Sequence, residues 1–212
     1  MQESDKTLSY YQPEMIPQEE ILDREQKGKQ LKIGVLAEKD PFETRIPITP
    51  QGVELLVGNN HQVLLEKGAG MASRFTDNDY SEAGARIIPK KGQIFDADII
   101  LKVSPLNSEE IDFLNSGQTI ISSLHLATRK EGYFRKLMEK RVTAMAFELL
   151  KDSYQEFPVL RSMCEIAGTV SVRIGAQYLS NYDKGKGILL GGITGITPTE
   201  VVILGAGTAA EY

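Results

Sequence analysis

The spacing of short apolar runs along the chain constrains its fold more than any other feature. Runs rich in valine and isoleucine alternate with segments whose apolar residues recur at helical spacing. Two of the runs, at 99–101 and 201–204, are apolar throughout, which is typical of strands that helices cover on both faces. The pattern predicts an α/β fold built on a parallel sheet. The predicted strands are Ile33–Leu36, Val63–Leu65, Ile87–Ile88, Ile99–Val103, Thr119–Leu124, Thr143–Leu149 and Val201–Leu204.

Capping residues mark where several helices should begin. A hydroxyl or amide side chain before a helical pattern can accept a hydrogen bond from a free amide of the first turn, and a following acid can complete the exchange. A further pattern covers residues 158–181, begins at Pro158 and is long enough to connect two domains. The capped starts are Thr49–Pro50, Thr76–Asp79 and Asn107–Glu110.

Composition and charge exclude several classes of protein. Of the 212 residues, 41% are apolar, so the chain can bury a sizeable core. A net charge of −5 without a dense basic run argues against binding to nucleic acid or an anionic membrane. One cysteine, Cys164, and two separated histidines, His61 and His125, predict neither disulfides nor a metal site. Residues 1–31 are polar and lack a secretory signal, so we expect a flexible arm and a cytoplasmic protein.

A glycine-rich turn follows the last predicted strand. The sequence Gly205-Ala206-Gly207-Thr208-Ala209-Ala210 matches a dinucleotide-binding fingerprint, in which glycines turn the chain and let its backbone approach a pyrophosphate. A turn that only joins a strand to a helix remains the alternative. The acid that binds the adenosine ribose is expected about 20 residues further on, whereas the chain ends at Tyr212. We therefore expect a truncated dinucleotide-binding domain that does not hold a dinucleotide firmly by itself.

Motifs along residues 32–212 occur in the order found in one known family. They are Lys32–Glu38, Glu43–Pro50, Glu66–Gly70, Asp98–Val103, Ser123–Ala127, Met163–Gly168 and the turn at Gly205. The chain resembles the alanine dehydrogenase and nicotinamide nucleotide transhydrogenase family, and its alanine dehydrogenase members most. The resemblance implies a Rossmann-like or flavodoxin-like substrate domain at 32–184, with a linking helix at 158–181. It also implies that 185–212 are the incomplete start of an NAD(P)-binding Rossmann domain.

Three polar residues carry the substrate chemistry that the resemblance implies. Arg45 matches the arginine that grips the substrate carboxylate, and a guanidinium can bind a carboxylate through two parallel hydrogen bonds. Glu38, at the end of the first strand, is expected to orient Arg45 through an ion pair. His125 matches the histidine beside the substrate carbonyl, and a histidine can give and take a proton near neutral pH. By themselves, Arg45 could be a solvated surface charge and His125 a loop histidine with backbone partners.

The resemblance also implies further contacts, with one departure from the family pattern. Lys102 retains the first of two lysines, but Ser104 stands where alanine dehydrogenases have the second, which contacts the keto acid. Leu160 and Met163 are expected to line the cleft beside the substrate methyl group, with plain core positions as the alternative. Cys164 matches a serine near the nicotinamide, and an inert buried thiol is favoured over a reactive one. The expected cofactor contacts in the turn are Gly205, Gly207, Thr208 and Ala209.

The implied function is NAD-dependent, reversible conversion of L-alanine to pyruvate and ammonia, with NADP left open as the cofactor. Expected partners are a small 2-oxo or 2-amino acid and other copies of the chain in a homo-oligomer, but neither nucleic acid nor a membrane. One alternative is a transhydrogenase-like subunit that exchanges hydride between nucleotides and needs a membrane-bearing partner. Another is an inactive domain that binds a carboxylate or mediates oligomer contacts. The truncated chain alone is expected to be inactive.

Overall fold

A computed structural model of the protein describes residues 29–181 and 184–212. The flexible arm predicted at 1–31 lies outside the described residues as far as residue 28. The strands within the described residues are β1 (Lys32–Val35), β2 (Gln62–Glu66), β3 (Arg86–Ile88), β4 (Ile99–Leu101), β5 (Thr119–Ser122) and β6 (Thr143–Ala146). They form one sheet in the order β3-β2-β1-β4-β5-β6, and every neighbouring pair is parallel. The predicted α/β class is confirmed.

Apolar residues on the two faces of this sheet form two separate cores. Successive residues of a strand point to opposite faces, so the adjacent residues Val35 and Leu36 belong to different clusters. Leu36 packs in the cluster that contains Ile100 and Ile120, whereas Val35 packs in the cluster that contains Leu65. Both faces are therefore covered, and polar residues that could meet a ligand are left to the ends of the strands.

Three of the described helices begin at the predicted capping residues. Thr49 accepts a hydrogen bond from Gly52, and Thr76 and Asn107 each form a complete capping box. The α-helices among the described residues are α1 (Pro50–Gly58), α2 (Asp77–Glu82), α3 (Ser108–Asp112), α4 (Glu131–Glu139), α5 (Pro158–Leu179) and α6 (Thr208–Glu211). Short 3-10 helices lie at Met71–Ser73, Lys91–Asp96 and Phe147–Leu149, the last of which replaces the end of a predicted strand. No described helix is long and apolar enough to cross a membrane.

Strands β4 and β5 end earlier than predicted, because carboxylates accept hydrogen bonds from the backbone amides that follow them. Glu38 Oε1 accepts hydrogen bonds from the amides of Val103 and Ser104, at 2.8 and 3.1 Å, so β4 ends at Leu101. A second carboxylate, that of Glu148, receives the amides that follow β5 in the same way. Both carboxylates fix the chain at the edge of the sheet where parallel α/β folds bind their ligands.

Helix α5 and the segment after it are poorly covered by the rest of the described chain. Gly168 is the buried residue of α5, while Val170 and Ile174 in its apolar stripe are 39% and 47% exposed. The strand predicted at 201–204 is wrong: this segment forms no strand, and its side chains are 62–95% exposed. A strand needs a hydrogen-bonded neighbour, and the described residues provide none beside this segment.

A buried group of charges anchors the end of β4. The Lys102 ammonium donates to Glu110 Oε2 at 3.0 Å and lies 3.8 Å from Glu38 Oε2, and its side chain is 3% exposed. Glu110 is fully buried and also accepts from Lys91 at 2.5 Å and from the Asn107 amide at 2.9 Å. Burial alone would raise the pKa of Glu110, but these hydrogen bonds and the charge of Lys102 lower it. A buried ammonium requires such carboxylate partners, so Glu110 holds Lys102 in place.

We expect Glu110→Gln to destabilise the protein by roughly 3–5 kcal/mol, because it leaves buried ammonium groups without their main counter-charge. The matched change Glu109→Gln removes only the exposed pair with Lys39 and should cost less than about 1 kcal/mol. Since the folded-state pKa of Glu110 is lowered, its contribution is present above about pH 4.5 and is lost as the pH falls below that value. Urea unfolding at several pH values measures both effects, and equal losses in the two variants would contradict the expected role of Glu110.

We expect Gly34→Ala to destabilise the sheet by roughly 1–3 kcal/mol through overpacking. A Cβ at Gly34 in β1 would lie 2.7 Å from Ile94 Cγ2 and 2.8 Å from the Ile94 carbonyl oxygen, which is backbone and cannot easily move. The control is Gly58→Ala in α1, where a Cβ meets no atom within 4 Å, so this change should be neutral or slightly stabilising. The midpoint of urea unfolding distinguishes the two, and no loss of stability in Gly34→Ala would show that β1 and the segment at Ile94 can separate freely.

Candidate functional site

Polar side chains from three adjacent strands meet at the carboxyl edge of the sheet. Glu38 follows β1, Lys102 follows β4 and His125 follows β5, and all three line one cavity of about 480 Å³, here called the Glu38 cavity. Ser104 and Arg129 line it as well. The strand order reverses direction between β1 and β4, and parallel α/β sheets bind ligands at such a switch point. The structure therefore brings three of the expected site residues together.

Arg45 is held by an acid that sequence reasoning did not assign. Its Nε and Nη2 donate to the two carboxylate oxygens of Glu43, at 2.8 and 2.6 Å, and Glu43 lines the Glu38 cavity. These hydrogen bonds lower the pKa of Glu43 and raise that of Arg45, to which the charge of Glu38 also contributes. The expected ion pair between Glu38 and Arg45 is wrong, because Glu38 turns its carboxylate to the amide of Val103 and to Lys102.

His125 has an unusual backbone conformation, which Glu148 stabilises. Its φ of 49° lies in the left-handed region, which is uncommon for a residue other than glycine. Glu148 Oε1 accepts the amides of Leu124 and His125 at 2.9 and 2.8 Å. Burial would raise the pKa of Glu148, but backbone hydrogen bonds and the nearby His125 lower it. The His125 side chain is exposed and lines the Glu38 cavity, so its imidazole can reach a ligand there.

The sequence contained a signal for only one of these two acids. Glu43 stands two residues before Arg45 in the same motif, so a local ion pair could have been proposed. Glu148 lies 23 residues after His125, inside a segment predicted as a strand. Nothing in the local pattern distinguishes it from a solvated acid.

Helix α5 contacts the site through Met163. Its Sδ lies 3.1 Å from Arg45 Nη1, the nitrogen that Glu43 does not engage. Leu160 and Met163 are 42% and 39% exposed, so they are not core residues of the described chain. Cys164 is a free, half-buried thiol, and neither Leu160 nor Cys164 lines the Glu38 cavity.

The residues that could hold a dinucleotide lie in the glycine turn. Gly205 has a φ of 123°, which requires glycine, and Gly207 caps α6, whose first residues are Thr208 and Ala209. A Cβ at either glycine would meet no atom within 4 Å, so the backbone is open to a pyrophosphate. The fit extends only to this turn, because the strand before it does not form. No group of three or more histidine, cysteine or acidic side chains in the described residues could hold a metal ion.

Comparisons with known sequences match both parts of the chain. The family model described as alanine dehydrogenase/PNT, N-terminal domain, matches residues 34–167, and its C-terminal counterpart matches residues 171–211. An alanine dehydrogenase from Methanococcus maripaludis is 42% identical over 82% of this chain and 47% of that protein. An alanine dehydrogenase from Staphylococcus saprophyticus is 38% identical over 84% of this chain and 47% of that protein. The chain spans about half the length of these curated relatives.

Two solved structures that are similar to this chain are an alanine dehydrogenase and a transhydrogenase. An L-alanine dehydrogenase has a TM-score of 0.80 and 35% identity, over 85% of this chain and 50% of that chain. A transhydrogenase from Sinorhizobium meliloti has a TM-score of 0.63 and 31% identity, over 69% of this chain and 44% of that chain. Since the N-terminal family model by itself matches more than half of the residues, the chain belongs to the alanine dehydrogenase/PNT family.

Proposed function

We propose that the protein to which this chain belongs is an NAD-dependent alanine dehydrogenase, which reversibly converts L-alanine to pyruvate and ammonia. The observation that carries the proposal is the convergence of Glu38, Lys102 and His125 on one cavity, with Arg45 beside it. The relatives named alanine dehydrogenase supply the reaction class. NAD, when bound, accepts the hydride from the substrate's central carbon, and the glycine turn at Gly205 fits its pyrophosphate.

Arg45 would hold the substrate carboxylate. Glu43 already engages Nε and Nη2, whereas Nη1 contacts the Met163 sulfur, which is a weak acceptor. A carboxylate that displaces this sulfur would gain a charge-assisted hydrogen bond while Glu43 keeps the guanidinium in position. The same geometry explains why Lys102 is a poor candidate for direct binding: its ammonium is buried and committed to carboxylates. We assign Lys102 to positioning Glu38.

His125 would move the proton. Oxidation of the amino acid leaves an imine, and hydrolysis requires a base that takes a proton from water and returns one as ammonia leaves. The exposed imidazole of His125 lines the cavity, and the hydrogen bonds from its backbone to Glu148 fix the turn that presents it. The proton can therefore be exchanged with solvent through the open side of the cavity.

We expect His125→Gln to lower kcat for L-alanine oxidation by roughly 100-fold or more, because glutamine cannot transfer the proton. The measurement is NADH formation by the protein as encoded, including any residues that follow Tyr212. The matched control is His61→Gln, since His61 lies just before β2 at the opposite edge of the sheet and accepts a hydrogen bond from Leu31 that glutamine can also accept.

Two outcomes would overturn the proposed function, and a further one, given first, would overturn only the role of His125. Equal activity in His125→Gln and the unchanged protein would remove the assigned proton carrier. Hydride exchange between two nucleotides without pyruvate or alanine would indicate a transhydrogenase-like function instead. Binding of pyruvate that is lost in Arg45→Ala, with no turnover of the unchanged protein, would indicate an inactive carboxylate-binding domain.

We expect Glu148→Ala to lower kcat by roughly 10- to 100-fold, because the His125 turn loses the acceptor that fixes it. Glu148→Gln retains an oxygen at the same position, so it should keep most of the activity. Since the pKa of Glu148 is lowered in the folded protein, the charged carboxylate holds this turn above about pH 4.5, and its hydrogen bonds weaken only as the pH falls below that value. Equal losses in the two variants would show that Glu148 acts through its charge and not as a positioning residue.

A further inference from the structure

A second cavity, of about 580 Å³, lies beside the Glu38 cavity and carries only positive charge. It is bounded by the start of α3 and by α4, and it shares Asn107, His125 and Arg129 with the Glu38 cavity. Its other charged residues are Lys130 and Lys136, and no carboxylate of the described chain lines it. In a chain of net charge −5, this local excess of cations is unusual. We refer to it as the basic cavity.

The three full cations of the basic cavity are not neutralised by any carboxylate that the structure describes. Arg129, Lys130 and Lys136 form no ion pair with any carboxylate in residues 29–181 and 184–212. The guanidinium of Arg129 lies over the ring of Tyr133, 5.4 Å from its centroid, and this face contact does not use its N–H donors. The arginine that lies within α4 behaves differently.

That other arginine, Arg135, pairs with Glu131 at 2.7 Å on the exposed surface of α4 and does not line the cavity. Lys136 of α4 thus lines the cavity without a partner among the described carboxylates, whereas the paired charges Glu131 and Arg135 lie on the exposed surface of the helix. Like charges that share a cavity repel one another, and an anion bound between them would relieve that repulsion. The arrangement is that of a site whose counter-charge comes from a ligand.

The walls of the cavity indicate which anion fits. An arginine offers a planar pair of donors and a lysine a point charge, and together they suit the oxygens of a phosphate. The apolar part of the wall is formed by Leu106, Ile111 and Tyr133, which can cover an organic group beside the phosphate. We propose that the basic cavity binds a small phosphate monoester, with the phosphate at Arg129 and Lys136 and the organic group against Tyr133.

The site differs from the one assigned to alanine or pyruvate, and the proposal requires no turnover. It is tested by isothermal titration of the chain with phenyl phosphate and, in a separate arm, with inorganic phosphate. We expect saturable binding of one phenyl phosphate per chain and weaker binding of inorganic phosphate, which lacks the organic group. Arg129→Gln and Lys136→Gln should each weaken binding by about tenfold or more, since each removes a charge-assisted contact.

The control is Arg135→Gln, which removes an arginine from the same helix outside the cavity and should leave the affinity unchanged. All three side chains are exposed, so the variants should fold, and circular dichroism checks this. The proposal is overturned by absence of saturable binding up to about 10 mM, or by equal affinity in all three variants. Competitive displacement of phenyl phosphate by pyruvate would also overturn it, because the two cavities would then be one substrate site. That result would leave the proposed dehydrogenase function standing.

Discussion

The buried ammonium of Lys102 is the constraint on which the rest of the site depends. Its side chain is only 3% exposed at the end of a central strand, so its charge requires oppositely charged groups in direct contact. Glu110 supplies the compensation from α3 and Glu38 from the segment after β1. One cation therefore ties together β1, β4 and the first turn of α3, where Glu110 also completes a capping box with Asn107. The position of Glu38 in its cavity follows from this buried charge together with the amides of Val103 and Ser104.

Carboxylates also end strands and shape the loops that follow them. Glu38 accepts two amides beyond β4, and Glu148 accepts two beyond β5. In each case a carboxylate accepts hydrogen bonds from backbone amides that do not pair with a neighbouring strand. Such charge-assisted hydrogen bonds are stronger than those between neutral groups. The His125 backbone is held at a positive φ in this way. At this edge of the sheet, acidic side chains thus accept hydrogen bonds from the backbone. The resulting loop places His125 at the cavity.

The parts of the fold that the sequence predicts are those specified locally. Strand positions follow from apolar runs, and the starts of α2 and α3 follow from capping boxes that span three residues. The strand ends were too long because their terminators are distant: Glu38 is 65 residues from Val103. The partner of Arg45 is an exception, because Glu43 is only two residues away and the local ion pair could have been predicted. The strand expected at 201–204 fails because pairing is a property of two segments, and a pattern in one cannot supply the other.

The cations around Ser104 differ in whether their charge is available to a ligand. A cation binds an anionic ligand best through a donor that no carboxylate already engages. Lys102 is committed to buried carboxylates, and Arg45 shares its guanidinium with Glu43. Arg129, which lines both cavities, has no carboxylate partner in the described chain. The charge that is available to a ligand therefore lies at the start of α4 and not at the end of β4.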